Sequence, residues 1–362
     1  MLHERGVIKT KVFYTWGEAV LENKFDPGFN KEIQWDVPLL DGYDYQFVKN
    51  HSSDPGSHHF FGIKNSTLIN DIENWGADAV LIFGWNFISH YKCMRYFKNK
   101  IPVYFRGDST NLQRSYSFFK KYIRSLFLKY IYKHIDKAFY VGHHNKVYFQ
   151  SVGLKDNQLV YAPHAIDNVR FMETNSMNFR IVYNIPSDSI LFLYAGKFEK
   201  VKSLHTLIGA FSEIKNDSAY LLLIGNGPEE NNLKNFINDL PSVIKNRIRV
   251  GDFVNQKEMP GLYQSADVFI LPSNSETWGL SVNEAMASGM SVIVSDACGC
   301  AVDLVEVGVN GYIFKHSDPQ SLLEKMKYFS EKKIAKSMGL LSYDKIKTWN
   351  FESIVNALET TI

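Results

Sequence analysis

The sequence predicts an α/β protein of two domains, each built on a parallel sheet. The chain has 362 residues, which is enough for two domains of ordinary size. In its second half, short apolar runs alternate with helical patterns, an order typical of βαβ units. The first half shows a weaker version of the same alternation. We therefore expect parallel sheets with helices on both faces.

Composition argues against several other classes of protein. The formal net charge is only +2, so the bulk charge does not suggest a nucleic-acid partner. The three cysteines, Cys93, Cys298 and Cys300, form no disulfide framework and fit a reducing compartment. No apolar stretch approaches the ~20 residues of a membrane-spanning helix, and residues 1–16 lack the apolar segment of an export signal. We expect a cytoplasmic protein.

The predicted secondary structure is clearest in the second half of the chain. Predicted strands lie at 190–196, 219–225, 247–253, 267–273 and 290–296, and predicted helices at 203–214, 228–240 and 280–289. The polar, turn-rich stretch 170–189 predicts the domain junction, which gives domains of residues 1–178 and 179–342. Residues 343–362 show helical spacing, and we expect this tail to pack back on the first domain.

The first half predicts five strands by the same reasoning, at 11–16, 78–85, 101–107, 137–142 and 159–164.

The stretch SETWGLSVNEAMASG (275–289) places Glu276 in the loop after the strand at 267–273 and Glu284 in the following helix. Between them, the free amides that open a helix can bind an anion such as phosphate. These amides belong to Thr277, Trp278, Gly279, Leu280 and Ser281. Gly279 allows close approach of the backbone. Carboxylate, amides and carboxylate in this order match the sugar, diphosphate and ribose of a nucleotide-sugar.

Spacing alone leaves another interpretation open. Glu284 is then a solvated helix residue, and Glu276 is a helix-entry acid favoured by the helix dipole.

A second motif, AGKFEKVK (195–202), follows the strand that ends at Gly196. Lys197 and Lys202 would lie at the carboxyl end of a parallel strand, where they can neutralise the charge on a leaving diphosphate. The alternative is that both are solvated surface lysines. The motif lacks the GxxxxGK[ST] pattern of a P-loop.

These pieces resemble the retaining glycosyltransferases of family 4, of bacterial type, which have the GT-B fold. The matching sequences are AGKFEKVKSLHTLIGAF, IGNGPEE, the block from LYQSADVFILPS to SDACG, and VGVNGYIF, in the family's order over residues 190–315. The resemblance implies two Rossmann-like domains facing a cleft. It also implies transfer of a sugar from a nucleoside diphosphate to a hydroxyl, with retention, as in hexosyltransferases.

The resemblance also implies residue roles on the donor side. Glu276 would face the donor sugar, Glu284 the ribose hydroxyls, and Lys197 and Lys202 the diphosphate. The first lysine is commonly Arg in the family, and Lys keeps the charge without the planar fork. Phe253, in GDFVNQ, is the candidate for the nucleobase pocket. No cofactor or metal is expected, because lysines and amides already supply positive charge.

Residues 28–50 and 103–112 resemble the acceptor domain of one bacterial subgroup. Asp108 would orient or deprotonate the acceptor hydroxyl and Arg106 would hold it, or the two form a buried pair that pins their loop. Trp85 lines the acceptor side or belongs to the core. His164 lines the cleft or is structural, and we favour the structural reading.

HSSDPGSHHFF (51–61) contains three histidines, which indicate either a metal site or a solvated polar loop, and we favour the loop. CGC (298–300) is interpreted as a turn before a helix and not as a metal pair, because no other Cys or His motif has matching spacing.

The first predicted strand, 11–16, resembles the family's second strand. The expectation is therefore that the first domain lacks its first, central strand, which would interrupt the sheet.

Residues 114–137 are basic and aromatic together, with one acid, Asp136. Such a helix either lies on an anionic bilayer surface as a peripheral contact or packs on the sheet with a solvated polar side.

The function predicted is glycosyl transfer to a glycan or lipid-linked acceptor in cell-surface polysaccharide synthesis. Two alternatives stand: a sugar-nucleotide epimerase of the same fold, and a truncated, non-catalytic nucleotide-sugar-binding paralogue.

Overall fold

The computed structural model describes residues 1–18, 24–112, 118–175 and 177–362. Its strands are β1 (Lys11–Tyr14), β2 (Lys24–Asp26), β3 (Lys31–Ile33), β4 (Asp44–Phe47), β5 (Val80–Phe83), β6 (Val103–Arg106), β7 (Lys137–Tyr140), β8 (Leu159–Tyr161), β9 (Ile190–Ala195), β10 (Ala219–Ile224), β11 (Ile248–Gly251), β12 (Val268–Leu271), β13 (Ser291–Ser295) and β14 (Gly311–Phe314).

The α-helices are α1 (Leu2–Arg5), α2 (Leu68–Trp75), α3 (Ile88–Phe97), α4 (Phe118–Tyr132), α5 (His143–Ser151), α6 (Asn168–Met172), α7 (Phe179–Val182), α8 (Leu204–Ser212), α9 (Glu230–Asn238), α10 (Ser242–Lys245), α11 (Met259–Gln264), α12 (Leu280–Ala287), α13 (Ala301–Leu304), α14 (Pro319–Lys327), α15 (Lys332–Ile346) and α16 (Phe351–Glu359).

The chain forms two compact units. Unit 1 comprises residues 1–22, 38–163 and 351–362, and unit 2 comprises residues 23–37 and 164–350. The sequence places the boundary at 178, whereas in the structure the chain enters unit 2 at His164. The reason is local: in residues 164–178, the carbonyls of Phe171 and Glu173 accept hydrogen bonds from Gln264 on α11.

The sheet of unit 2 has six parallel strands in the order β11-β10-β9-β12-β13-β14. The five strands predicted from apolar runs are present, because strands buried on both faces need nearly continuous apolar sequence. Every residue of β9, β12 and β13 is buried. The sequence analysis missed β14, a short strand at one edge of the sheet. The strand order reverses between β9 and β12, and a doubly wound sheet binds ligands at such a point.

Unit 1 contains a four-stranded parallel sheet, β5-β6-β7-β8, and a separate parallel pair, β1-β4. All five predicted strands are present, and β4 was not predicted. One core joins the two sheets: Phe13 of β1 packs against the cluster that includes Val80 of β5 and Phe105 of β6. Whether a central strand is lacking stays a prediction.

The tail divides between the units. Residues 343–350 remain in unit 2, and α16 lies in unit 1. Arg5 of α1 donates hydrogen bonds to Asn356, Glu352 and Glu359 on α16. Leu358 packs with Tyr104 in a small cluster of buried residues.

Residues 24–37 are an unpredicted part of unit 2. Strands β2 and β3 pair as an antiparallel hairpin, with Asp26 opposite Lys31. The carboxylate of Asp26 accepts hydrogen bonds from the backbone N–H groups of Gly28 and Phe29, which stabilises the turn.

Within the described parts of the chain, none of the helices has the length and apolar character needed to cross a bilayer.

Candidate functional site

The candidate site lies at the carboxyl edge of the unit 2 sheet. The chain leaves β9 at Gly196, whose φ is 153°, and leaves β10 at Gly225. A Cβ at Gly225 would lie 1.9 Å from the carbonyl oxygen of Gly196, so these two loops approach too closely for a side chain. Gly196 and Gly225 thus allow the two loops to pack against each other at this edge. Lys197 and Lys202 follow Gly196 along the chain.

Lys197 and Lys202 each contact a carboxylate of unit 2. Lys197 Nζ lies 2.9 Å and 3.0 Å from the two carboxylate oxygens of Asp26. Lys202 Nζ forms an ion pair with Glu276 Oε2, and both of these side chains are about one-fifth exposed. The structure therefore brings together Lys202 and Glu276, two residues that the sequence analysis assigned to neighbouring roles.

The loop that carries Glu276 is fixed by backbone contacts. The N–H of Glu276 donates to Ala297 O at 3.2 Å, and its carbonyl accepts from the N–H of Gly299 at 3.1 Å. A Cβ at Gly299 would lie 1.9 Å from Thr277 O, so the turn after β13 must be glycine to hold this loop. Glu276 is thus presented by a rigid loop.

Helix α12 begins just after this loop, as the sequence predicts. Gly279 caps it with a φ of 103°, a conformation that favours glycine. The amides of Leu280 and Ser281 lie at the positive end of the helix dipole. Thr277 and Leu280 are exposed beside them. The arrangement can bind an anionic group.

Glu284 is the fifth residue of α12 and is partly buried. Desolvation raises its pKa to about 7, although a hydrogen bond from Tyr263 and the charge of Arg170 oppose the shift. The Tyr263 hydroxyl donates to Glu284 Oε2 at 2.8 Å. At neutral pH this carboxyl group can both donate and accept hydrogen bonds, which suits a partner with hydroxyl groups.

Trp278 contributes its backbone alone to this edge. Its side chain is 3% exposed, donates from Nε1 to Asn283 Oδ1 at 2.9 Å, and stacks on Trp349. The ring of His164 lies 5.6 Å from the Trp278 ring, and the carbonyl of His164 accepts from Asn283. These contacts agree with the structural reading of His164.

Phe253 follows β11 and packs against two rings of the 24–37 segment. The centroid distances are 5.0 Å to Phe29 and 6.2 Å to Trp35. The N–H of Phe253 donates to Asn226 Oδ1 at 2.9 Å. Sequence reasoning missed Asp26, Phe29 and Trp35, because nothing in their local pattern ties them to loops about 170 to 220 residues further on.

In unit 1, the side chain of Arg106 is buried and donates hydrogen bonds to backbone carbonyls. Its guanidinium is 9% exposed and donates to Ala162 O and Pro163 O, both at 2.9 Å. Burial lowers the pKa of Arg106 to about 10, against the opposing charge of Asp108. These contacts tie the end of β6 to the end of β8. They support the reading in which the loop is held in place.

Trp85 packs against the main core cluster of unit 1, and its ring lies 5.8 Å from that of Phe127. This agrees with the core reading of Trp85. His90 is a further candidate on the same edge of unit 1. Its ring contacts Thr15 Oγ1 and Gly84 O, both at 3.1 Å, and burial lowers its pKa. No sequence motif pointed to it.

Among residues 1–18, 24–112, 118–175 and 177–362, no group of three or more His, Cys, Asp or Glu side chains could hold a metal ion. Cys93, Cys298 and Cys300 are buried free thiols.

Comparison with known proteins identifies the region around the site. Residues 176–340 match the family model described as "Glycosyl transferases group 1". The O-antigen biosynthesis glycosyltransferase WclY of Escherichia coli is 28% identical over 186 residues, which are 51% of this chain and 50% of WclY. The matches to the first curated relatives span between a third and a half of those relatives' lengths.

Solved structures extend the likeness to the whole chain. Sucrose-phosphate synthase of Thermosynechococcus elongatus aligns with a TM-score of 0.73 at 16% identity, covering 99% of this chain and 89% of that one. HepE of Anabaena in complex with UDP aligns with a TM-score of 0.65 at 16% identity, covering 88% and 86%. These likenesses show the fold, which is GT-B, with a parallel-sheet α/β domain in each half. Residues 176–340 are thus similar to the group 1 glycosyl transferases.

Proposed function

We propose that this protein transfers a sugar from a nucleoside-diphosphate sugar to a hydroxyl of a glycan or lipid-linked acceptor, with retention of configuration as in family 4. One observation carries the proposal: Lys202, Glu276, the N-terminus of α12 and Glu284 follow one another at the switch point of the unit 2 sheet. This edge presents cations and amides flanked by carboxyl groups. WclY is named for O-antigen biosynthesis, and HepE was solved with UDP, which supports polysaccharide synthesis and a nucleotide donor.

In the proposed mechanism, Lys197, Lys202 and the amides of α12 stabilise the leaving nucleoside diphosphate. Glu276 orients the hydroxyls of the donor sugar, and Glu284 binds the ribose. Lys202 holds the Glu276 carboxylate before the donor arrives, so the sugar meets an oriented acid. Oxygen of the departing phosphate takes the acceptor proton. No metal or cofactor is required, because the leaving group meets lysines and amides.

The test compares Glu284→Ala with Glu276→Ala. Titration calorimetry with UDP, GDP, ADP and CDP in turn finds the nucleotide that binds. We expect Glu284→Ala to weaken that binding about tenfold or more, because a charge-assisted hydrogen bond to the ribose contributes about 1.5–3 kcal/mol. We expect Glu276→Ala to leave nucleotide affinity within about threefold of the native protein and to abolish sugar transfer.

Equal loss of nucleotide affinity in both variants would contradict these roles. Donor binding without turnover on any acceptor would favour a non-catalytic binding protein. A changed sugar nucleotide released without acceptor would favour an epimerase.

We further propose that helix α4 places the protein on the cytoplasmic face of an anionic membrane, where a lipid-linked acceptor would arrive. Its described exposed side chains include Phe119, Tyr122, Ile123, Leu126 and Phe127. Basic Lys129 and Lys133 lie on or just after the same helix. Residues 114–117 of the predicted basic stretch lie outside the described residues. Rings with nearby lysines suit the headgroup region of an anionic bilayer.

Vesicle sedimentation at low salt tests this proposal. We expect co-sedimentation with vesicles containing phosphatidylglycerol but not with pure phosphatidylcholine. Leu126→Glu should abolish it, while Val243→Glu, an equally apolar-to-acidic change at an exposed position of α10, should not. Equal binding to both kinds of vesicle would contradict the proposal that the negative charge of the lipid attracts α4.

A further inference from the structure

Residues 24–37, called here the strap, lie on the edge of unit 2 that carries the candidate site. The strap contains the hairpin β2-β3 and comes from the first tenth of the chain. It contacts the loops that follow three neighbouring strands, β9, β10 and β11. Two of these contacts fall on residues expected to bind the nucleotide, Lys197 at the diphosphate and Phe253 at the base.

The first contact is ionic. Asp26 presents both carboxylate oxygens to Lys197 Nζ, at 2.9 Å and 3.0 Å. Each side chain is about one-third exposed, so solvent can reach the pair. A carboxylate therefore already occupies the cation that the proposed function gives to the diphosphate.

The second contact is aromatic. The ring of Phe29 packs edge-to-face on Phe253 at 5.0 Å, and Lys197 Nζ lies 5.1 Å from the centre of the Phe29 ring. The ring of Trp35 also packs edge-to-face with Phe253, at 6.2 Å. The strap thus covers the side chain expected to face the nucleobase.

The third contact is between backbones. A Cβ at Gly227, in the loop after β10, would lie 2.8 Å from Gly28 O, so glycine is needed where the strap crosses. Beyond Phe253, Asn255 Nδ2 donates to Gln34 O at 2.7 Å. The strap is therefore in contact with the loops of the sheet at Gly28 and again at Gln34.

We propose that the strap is a built-in occupant of the donor site, with Asp26 at the diphosphate position and Phe29 beside the base position. A nucleoside diphosphate binds only after Asp26 releases Lys197. This inference rests on the proposed function, because it takes its ligand from there.

The Asp26 carboxylate and a diphosphate compete for Lys197 because both are anions. One lysine cannot neutralise both groups together, and two anions held at the same lysine repel each other. The measured affinity for nucleotide is then reduced by the fraction of molecules whose strap is closed. Removing the Asp26 charge opens the strap and raises that affinity.

The experiment measures binding of UDP, GDP, ADP and CDP by calorimetry to the native protein and to Asp26→Asn. A matched control, Glu32→Gln, removes the same charge from an exposed position on β3 of the same hairpin. We expect Asp26→Asn to bind the preferred nucleotide about twofold to fivefold more tightly, the range for losing a partly exposed ion pair. Glu32→Gln should match the native protein.

The variant Phe29→Ala distinguishes two roles for Phe29, which either blocks the base position or lines the pocket that binds the base. We expect tighter binding in this variant as well, and weaker binding would overturn the proposal. Hydrogen exchange of residues 24–37 in the native protein should rise when nucleotide binds, and unchanged exchange at saturation would overturn it. Equal affinity of Asp26→Asn and the native protein would refute the strap alone. Absence of nucleotide binding in every variant would refute the proposed function, and the strap's role with it.

Discussion

Ionisation of Glu284 should make the stability of unit 2 depend on pH, and Glu284→Gln should remove that dependence. The carboxyl group has a pKa of about 7 in the folded protein, against its usual 4.5, chiefly because burial disfavours the charged form. The unfolded chain therefore loses its proton at lower pH than the folded chain does. Stability is complete below pH 4.5, falls as pH rises towards 7, and is level above it.

The magnitude follows from the two pKa values. A difference between 4.5 and about 7, at about 1.4 kcal/mol per pH unit, is at most about 3.5 kcal/mol of unfolding free energy. Partial exposure of Glu284 reduces this to about 2–3 kcal/mol. For a unit of this size, that corresponds to roughly 5–10 °C in Tm.

Differential scanning calorimetry at pH 5 and pH 8 provides the assay. We expect the difference in Tm between Glu284→Gln and the native protein to be about 5–10 °C larger, in favour of the variant, at pH 8 than at pH 5. Glu324→Gln, at an exposed position on α14, controls for the substitution itself and should show the same difference at both values. Tyr263→Phe removes the hydrogen bond that favours the carboxylate, so it should lose more stability at pH 8 than at pH 5. A Glu284→Gln difference that is equal at both pH values would refute the reasoning.

Three further predictions concern the framework. Arg180→Ala should destabilise unit 2 by about 3–5 kcal/mol, because it removes the buried ion-pair partner of Asp267 and leaves that carboxylate with the more distant Lys332 at 3.7 Å; unfolding in urea measures this, and a loss below about 1 kcal/mol would contradict it. Gly225→Ala should lower Tm by several degrees or prevent folding, because its Cβ would meet Gly196 O at 1.9 Å; a thermal scan with native Tm would show that the loops can separate. Arg106→Ala should cost about 2–4 kcal/mol by leaving two buried carbonyls without a donor, and an unchanged urea midpoint would contradict the pinning role.

Most of the fold of unit 2 was predictable because its strands are buried on both faces. Continuous runs such as ILFLYA at 190–195 leave few other interpretations. Strands β4 (DYQF) and β14 (GYIF) escaped prediction, because runs of four residues carry little periodicity. The compact units change at 163/164 rather than at 178/179, because residues 164–178 look like a linker in sequence and join unit 2 through hydrogen bonds to α11.

The sequence by itself determined the local part of the site. Glu276, the glycine cap and Glu284 lie within nine residues, so strand, loop and helix geometry suffice to order them. Which charges meet was decided only by the tertiary structure. Lys202 and Glu276 are 74 residues apart, and Lys197 and Asp26 are 171 apart, so no local pattern encodes either pair. Pairing of β9 with β12 brings the Lys202 loop beside the Glu276 loop, and packing of the hairpin β2-β3 on the loops of the sheet brings Asp26 to Lys197. Packing rather than spacing places such groups together.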